Sequence, residues 1–242
     1  MKPFLSVIIP AYNETKRLPL TLIDVDRHLS RADYSYEILV VNDGSVDGTA
    51  EIVRRFSQIV KNLKLVDNNE NHGKGWAVRQ GMLSARGNLR LFMDADNSTS
   101  VDHFDRMIPF FKEGYDVVIG SRGVKGTKLV AAQSWHKRVL DNIVNLIVQI
   151  LHLRGFWDTQ CGFKCFSEEA ALRIFGLSAI NRWAFDVEAL VLARLLGYRI
   201  KEIPIVWVNS PYSAVGFGGY FSFLWEIFQI WWRVRRRKYN FN

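Results

Sequence analysis

Short apolar runs alternate with helical patterns along the first half of the chain, and this alternation restricts the possible folds more than any other feature. The apolar runs are residues 4–9, 37–41, 63–66, 89–93 and 116–119. Helices are expected at residues 15–29, 48–60 (with Asp47 as N-cap), 76–85 and 101–112. Apolar strands that alternate with helices form a parallel sheet covered by helices on both faces. The sequence therefore predicts an α/β protein with a mostly parallel sheet.

Polar clusters follow these strands or lie in the loops that lead on from them. They contain carboxylates, glycines and basic residues, and they occupy residues 10–14, 43–45, 73–75, 94–96 and 120–122. Ligands of open parallel sheets bind outside the carboxyl ends of the strands, so we expect the clusters to form one site. No G-x-G-x-x-G follows the first strand and no G-x-x-x-x-G-K-[ST] occurs, which disfavours a dinucleotide or P-loop site.

Asp94 and Asp96 follow an apolar run and are separated by one residue. Residues two apart on a strand point to the same side, so both carboxylates can converge on one cation. Magnesium is usually held by one or two carboxylates together with substrate phosphates. A solvated acidic turn would show the same pattern, but the neighbouring polar clusters favour a metal site.

The charge balance favours partners that carry phosphate. Lys and Arg outnumber Asp and Glu by 32 to 24, which gives a net charge of +8. Nucleotides, nucleic acid and anionic membrane surfaces all suit such a chain. Cys161 and Cys165 can neither build a disulfide framework nor complete a zinc site. No uncharged apolar run of about 18 residues occurs, so no membrane-spanning helix is predicted.

Four segments taken together, VIIPAYNE, VVNDGSVDGT, NHGKGWAVRQG and LFMDAD, resemble glycosyltransferase family 2, which has the GT-A fold. The resemblance implies a sugar-nucleotide donor, with Mg²⁺ or Mn²⁺ held on its diphosphate by Asp94 and Asp96. The donor-binding residues that it implies are Pro10, Ala11, Tyr12, Glu14, Asp43, Lys74, Asp94 and Ala95. Local roles are the alternative: Glu14 as a helix-start charge, Asp43 as a turn residue and Lys74 as a solvated charge.

The second half of the chain resembles the polyprenyl-phosphate hexose synthases in the segments GSR, WHKR and DTQCGFK. The segment RWAFDVE is similar to that of the dolichyl-phosphate β-glucosyltransferases. The resemblance covers residues 4–208. It implies that Arg122 and Arg138, with Ser134, hold the acceptor phosphate and that Asp96, Arg122 and Arg138 serve catalysis. Arginine suits phosphate because its planar fork binds two oxygens at once.

Alternatives remain open for this acceptor site. Arg122 could instead pair with a carboxylate of the site, and Lys137 and Arg138 could cap a helix. Mannosyl relatives often carry DADLQ, whose glutamine helps to bind the metal, whereas Ser98 stands at that place here. The third metal ligand is therefore Asn97, Ser98 or water.

The chemistry of the acceptor decides whether a general base is needed. A phosphate monoester has a second pKa of about 6, so it needs positioning more than deprotonation. A hydroxyl acceptor would need a base, for which Asp186 or Glu188 would serve. The resemblance also implies that the reaction inverts the anomeric configuration.

Two stretches have the pattern of helices that lie in a membrane surface. Residues 139–153 place their polar side chains within one arc. Residues 220–233 place Ser222, Glu226, Gln229 and Arg233 on one narrow polar line, and five basic residues follow within 233–238. A helix packed on the domain core, or a dimer contact with a solvated tail, is the alternative for each stretch.

The sequence thus predicts a GT-A domain at residues 1–209, with a donor half to about 122 and an acceptor half from 123. A linker, an amphipathic helix and a polybasic tail would occupy residues 210–242. The predicted activity is glucose transfer from UDP-glucose to dolichyl or polyprenyl phosphate at the cytoplasmic membrane face. Mannose transfer from GDP-mannose is the alternative, followed by transfer to a glycan or protein hydroxyl. A non-catalytic protein that binds phosphate or nucleic acid would leave the five polar clusters without a role.

Overall fold

The computed structural model describes residues 2–130, 146–149, 153, 155–208 and 217–240. Its strands are β1 Leu5–Ala11, β2 Tyr36–Asp43, β3 Leu63–Asn68, β4 Leu89–Met93, β5 Val117–Ser121, β6 Lys128–Val130, β7 Phe163–Ser167, β8 Ile200–Pro204 and β9 Val206–Val208. Its helices are α1 Leu18–Leu29, α2 Thr49–Phe56, α3 Lys74–Ser84, a 3₁₀ helix Val101–Arg106, α4 Ile108–Lys112, α5 Glu168–Leu177, α6 Phe185–Leu195 and α7 Phe217–Arg235.

A seven-stranded sheet in the order β3-β2-β1-β4-β7-β5-β8 forms the centre of the molecule. Strand β7 runs antiparallel to β4 and β5, and the remaining pairs of this sheet are parallel. Strands β6 and β9 pair separately in a two-stranded ribbon. The predicted α/β class with a mostly parallel sheet is confirmed.

The core lies on both faces of the sheet, because successive side chains of a strand point to opposite sides. On β1, Ile8 packs in one cluster with residues of α3, α5, α6 and α7. Its neighbours Val7 and Ile9 pack in a second cluster with α1 and the 3₁₀ helix. Strands β1, β4 and β5 are buried along their whole length, which explains why their sequences are mostly apolar. Ser6, Arg90 and Ser121 are the buried polar residues within them.

Several predicted boundaries were wrong. Strand β1 continues through Pro10 to Ala11, although the predicted strand covered residues 4–9. The single helix predicted at 101–112 is a 3₁₀ helix followed by α4, since Pro109 lacks an N–H and disfavours helical backbone before it. Asp47 does accept a hydrogen bond from Thr49 N at 3.1 Å, but Gly48 occupies the cap position of α2.

Helix α7 packs on the core with its polar line turned inward. Phe223, Ile227 and Ile230 are buried in the cluster beside α6, and Glu226 lies among them with 7% of its surface exposed. The division of the chain at residue 209 stays a prediction, because residues 209–216 lie outside the described part. Of the stretch 139–153 only residues 146–149, which are helical, and 153 are described. No helix in the described ranges is long and apolar enough to cross a membrane.

Candidate active site

The carboxylate of Asp94 lies at the end of β4 against β7. Asp94 N donates a hydrogen bond to the carbonyl of Gly162 at 3.1 Å. Gly162 leaves room for the carboxylate, because a Cβ at that position would lie 2.0 Å from Asp94 Oδ2. Lys74 Nζ lies 2.5 Å from Asp94 Oδ1. This contact is an ion pair, and among the described residues no group donates a hydrogen bond of normal geometry to Oδ1.

Asp96 lies in the loop after β4 beside two residues that follow β1. Its Oδ2 is 3.6 Å from Arg17 Nη1, and its Oδ1 accepts a hydrogen bond from Ser98 N at 3.0 Å. Arg17 also donates to Glu14, from Nε at 2.6 Å. Burial raises the pKa of the Glu14 carboxyl, and Asp96 and Asp94 act in the same direction, against Arg17.

The carboxylate oxygens of Asp94 and Asp96 suit a hard divalent cation that also binds a diphosphate. The side chains remain 31% and 20% exposed, so both carboxylates can be reached by a ligand. Within the described residues, no group of three or more His, Cys, Asp or Glu side chains could hold a metal by itself. Two carboxylates completed by substrate phosphates are the usual environment of Mg²⁺, whereas a cage built by the protein alone is not.

The loop before α3 is fixed by Asp43 at the end of β2. Asp43 is 2% exposed and accepts hydrogen bonds from His72 N at 3.0 Å and from Gly73 N at 2.8 Å. Gly73 has a φ of +106°, which favours glycine, and a Cβ there would lie 2.5 Å from the carbonyl oxygen of Asn181. The carboxylate of Asp43 therefore positions the loop that carries Lys74.

The loops after β1 and β2 are joined by a set of hydrogen bonds. Asn13 N donates to Ser45 Oγ at 2.9 Å, and Val46 N donates back to Asn13 Oδ1 at 3.0 Å. Pro10, Ala11 and Ala95 are buried, whereas Tyr12 is 48% exposed beside this junction. The predicted donor-binding residues thus lie at the ends of β1 and β2, in the loops after β1 and β4 and at the start of α3, along the carboxyl edge of the sheet.

Four residues of alternating charge lie between the site and the core: Asp94, Lys74, Asp186 and Lys164. Lys164 is 1% exposed and donates to Asp186 Oδ1 at 2.6 Å. Burial raises the pKa of Asp186, and this effect outweighs the opposing charges of Lys164 and Lys74. Burial disfavours the charge of Lys74, but Asp94 and Asp186 outweigh that effect and raise its pKa. Lys74 therefore stays protonated next to Asp94.

Arg122, at the end of β5, is held by Asp158. Its Nε donates to Oδ2 at 2.7 Å, its Nη2 donates to Oδ1 at 2.9 Å and its backbone N donates to Oδ2 at 2.8 Å. The guanidinium lies 5.5 Å from the centre of the Trp207 ring. Arg122 thus forms the pair with a site carboxylate that the sequence left open as the alternative. Arg138 and Ser134 lie outside the described residues.

Glu188 is fully buried and stabilises the chain instead of facing the site. Its carboxylate accepts hydrogen bonds from Ala179 N at 3.0 Å and Ile180 N at 2.9 Å. The hydroxyl of Tyr239 donates to it at 2.7 Å. These bonds disfavour a general-base role for Glu188.

Sequence reasoning assigned no role to Arg17, Gly162, Asp158 or Lys164. Arg17 could have been found from its spacing, since it stands three residues after Glu14 in the loop that follows β1. Gly162 and Lys164 belong to the quoted segment DTQCGFK, but their contacts with Asp94 and Asp186 depend on where β7 enters the sheet. No pattern in the sequence predicts that β7 lies between β4 and β5.

Comparison with known proteins gives consistent results. The family model described as Glycosyl transferase family 2 matches residues 6–170. The Dolichyl-phosphate beta-glucosyltransferase of Dictyostelium discoideum is 42% identical over 224 residues, which cover 88% of this chain and 68% of that protein.

Two solved structures share the fold. Mannosyl-3-phosphoglycerate synthase from Rubrobacter xylanophilus has a TM-score of 0.73 at 15% identity, with 98% of this chain and 75% of that chain covered. Glucosyl-3-phosphoglycerate synthase from Mycobacterium tuberculosis, in complex with Mn²⁺, UDP-glucose and phosphoglyceric acid, has a TM-score of 0.67 at 19% identity, with coverages of 95% and 80%. These likenesses confirm the predicted GT-A fold. The chain therefore belongs to glycosyltransferase family 2, as a glycosyltransferase similar to the dolichyl-phosphate β-glucosyltransferases.

Proposed function

We propose that this enzyme transfers glucose from UDP-glucose to dolichyl or another polyprenyl phosphate, with inversion of the anomeric configuration. One structural observation carries the donor half of this proposal. Asp94, Asp96, Lys74 and Arg17 converge at the carboxyl edge of the sheet, where two carboxylates and two cations can together bind a metal and a diphosphate. The name of the relative from Dictyostelium discoideum supports the sugar and the acceptor.

The donor side uses the connected loops after β1 and β2 for the nucleotide. Tyr12, Glu14 and the backbone at Pro10 and Ala11 would contact the base and ribose, and Asp43 would hold the loop of Lys74 beside them. Mg²⁺ or Mn²⁺ on Asp94 and Asp96, when bound, would neutralise charge on the leaving diphosphate. Lys74 and Arg17 add fixed positive charge at the same place, which stabilises the diphosphate as it departs.

The acceptor side needs a fixed cation more than a base. A phosphate monoester is largely ionised near pH 7, since its second pKa is about 6. Asp158 binds the Nε and Nη2 edge of the Arg122 guanidinium through two side-chain hydrogen bonds, which fixes the position of this positive charge. Arg138 and Ser134 would complete this acceptor site.

A hydroxyl acceptor is less compatible with the arrangement of the carboxylates. Asp186 is paired with the buried Lys164, and Glu188 is occupied by two backbone N–H groups and Tyr239. Neither carboxylate is available as a strong general base, so the chemistry favours an acceptor that arrives already charged.

We also propose that the outward side of α7 binds the membrane that holds the lipid acceptor. The outer face of α7 consists of exposed apolar side chains: Phe221, Leu224, Trp225, Phe228 and Trp232. Arg235 and Arg236 follow, and the Arg236 guanidinium stacks 4.5 Å from the Trp232 ring centre. Tryptophans and basic side chains beside an apolar face suit the surface of an anionic leaflet, on the order of 1 kcal/mol for each Lys or Arg. The cytoplasmic face, where sugar nucleotides are available, is the side that we propose.

A panel of radiolabelled sugar nucleotides tests this function directly. UDP-glucose, UDP-galactose, UDP-N-acetylglucosamine and GDP-mannose would each be supplied with a polyprenyl phosphate in vesicles, with Mg²⁺, with Mn²⁺ and with a chelator. Transfer of label to lipid from UDP-glucose alone, and only with metal, is the expected result. Transfer from GDP-mannose in its place, or transfer to soluble glycans without lipid phosphate, would overturn the proposal.

A further inference from the structure

Glu226, on the inner side of α7, binds the chain segment that begins α6. Its Oε2 accepts hydrogen bonds from Trp183 N at 2.9 Å and from Ala184 N at 2.8 Å. Ala184 is the cap residue of α6 and provides no side-chain cap of its own. A carboxylate from another helix therefore satisfies the backbone at this helix start, where negative charge is favoured.

A second residue from the same end of the chain fixes the other side of this segment. The hydroxyl of Tyr239, a residue that is 4% exposed, donates to Glu188 at 2.7 Å. Glu188 in turn accepts hydrogen bonds from Ala179 N and Ile180 N. The loop of residues 179–184 is thus attached to the C-terminal region at both of its ends.

The same loop supports the start of α3. Gly75 N donates to the carbonyl of Arg182 at 3.1 Å, and Trp76 N donates to the carbonyl of Asn181 at 3.0 Å. The approach is close, because a Cβ at Gly75 would lie 2.7 Å from the carbonyl oxygen of Ile180. Lys74 stands directly before these two amides, and its Nζ reaches Asp94. A shift of residues 179–184 would therefore displace Lys74.

We propose that Glu226 and Tyr239 are positioning residues that connect α7 to Lys74 and hence to the donor diphosphate. The inference rests on the proposed function, in which Lys74 binds that diphosphate. It gives α7 two roles on opposite sides: the outer face of α7 contacts the membrane, and the inner side sets the geometry of the donor site. Anchoring α7 on a bilayer would then restrict the motion of the loop that positions Lys74.

The test compares full-length variants in binding UDP with Mn²⁺ by calorimetry and in KM for UDP-glucose. Glu226→Ala should weaken UDP binding roughly tenfold, because the two hydrogen bonds from Trp183 N and Ala184 N to a charged group are lost. Glu226→Gln should restore most of the affinity, because its amide oxygen can accept the same two hydrogen bonds. Gln229→Ala, one turn further along α7, is the matched control and should bind as wild type. Equal UDP affinity of Glu226→Ala and wild type would overturn the inference.

Tyr239→Phe provides a second variant, which keeps the buried ring and removes only the hydroxyl. Amide hydrogen exchange of residues 73–77 should accelerate in Glu226→Ala and in Tyr239→Phe but not in Gln229→Ala. Unchanged exchange there would contradict the connection even if the enzyme used another donor. If wild type binds GDP instead of UDP, the proposed donor is wrong, and the same variants are compared with GDP.

Discussion

The carboxylate of Asp94 occupies the space that a side chain at Gly162 would need. A Cβ on Gly162 would lie 2.0 Å from Oδ2 and 2.3 Å from Cγ of Asp94, while the carbonyl of Gly162 accepts a hydrogen bond from Asp94 N. The hydrogen bond from Asp94 N to the carbonyl of Gly162 fixes how closely the two residues approach. A side chain at residue 162 would therefore clash with the carboxylate and displace it. The absence of a side chain at residue 162, directly before β7, is thus a requirement for the observed position of the Asp94 carboxylate after β4.

Gly162→Ala should impair catalysis far more than folding, because the clash falls on the movable end of a side chain. A displacement of about 1 Å at a reacting centre can cost about a hundredfold in rate. We expect kcat/KM to fall by about this factor while the melting temperature changes by only a few degrees. Gly176→Ala on α5 is the control, because a Cβ there meets nothing within 4 Å and alanine favours the helix. Normal activity of Gly162→Ala would show that Asp94 tolerates displacement.

Asp96→Ala should abolish metal-dependent transfer and leave the fold intact. The carboxylate is partly exposed and contacts only Arg17 Nη1 and Ser98 N among the interactions described above. Circular dichroism and thermal unfolding check the fold, and label transfer measured across a Mn²⁺ titration checks the activity. Undiminished transfer by wild type in excess chelator would contradict a role for metal on Asp94 and Asp96.

Asp158→Asn should destabilise the protein in a pH-dependent way. Burial would raise the pKa of Asp158, but Arg122 and Lys164 outweigh it, so this pKa lies below its usual range. A depressed pKa contributes stability above about pH 4 and loses that contribution as the pH falls through the folded value. We expect the variant to lose roughly 2 kcal/mol of unfolding free energy at pH 7, as for the loss of a hydrogen bond to a charged group. The difference from wild type should shrink in urea unfolding near pH 3.

The same variant also tests the orientation of Arg122. Asp158→Asn should raise the KM for the polyprenyl phosphate more than the KM for UDP-glucose, because the guanidinium loses its charged partner. Asp33→Asn, which changes an exposed carboxylate, should leave both constants and the pH profile as in wild type. An equal rise in both KM values would argue against the acceptor role of Arg122.

Replacing apolar side chains on the outer face of α7 should weaken membrane binding without unfolding the protein. Trp225 and Phe228 are 60% and 47% exposed and stack on each other at 5.6 Å. The double variant Trp225→Ser, Phe228→Ser should sediment less with anionic liposomes and keep its melting temperature. Ile59→Ser removes a side chain that is 76% exposed on another surface and should sediment as wild type. Unchanged sedimentation of the double variant would rule out this face as the membrane contact.

Truncation before α7 would not answer the same question. It would remove Ile227, Ile230 and Tyr239 from the core as well as the outer face. Loss of buried side chains of this size typically costs 2–5 kcal/mol each, so a truncated chain would lose stability together with any membrane contact.

The parallel sheet and the position of the site could be predicted from local pattern. Strands β1, β4 and β5 are buried on both faces, so their sequences are mostly apolar and polar residues follow their ends. Since parallel strands end at one edge, that pattern also predicted that Asp43, Asp94 and Arg122 lie along the same edge of the sheet. The D-x-D spacing predicted that Asp94 and Asp96 share one cation, although both residues lie in the loop after β4 and not on the strand.

The partners of these residues could not be predicted, because they come from distant parts of the chain. Lys74 at the start of α3 meets Asp94 after β4. Arg122 meets Asp158, and Asp186 meets Lys164, because the segment of residues 158–164 leads into β7, which lies antiparallel between β4 and β5. The face of α7 that packs on the protein could not be predicted either. Its sequence shows a polar line and a wide apolar surface, but not which of them faces the protein.

By itself, the sequence determined the strands, the carboxyl edge and the residue types of the site, since periodicity and turn residues act over a few positions. Only the tertiary structure decided which charges pair, which carboxylates are already occupied and that Glu226 points inward while Trp225 points out. Hydrogen bonds and ion pairs require contact within about 3 Å. Contacts between residues that are far apart in sequence exist only once the whole sheet has formed.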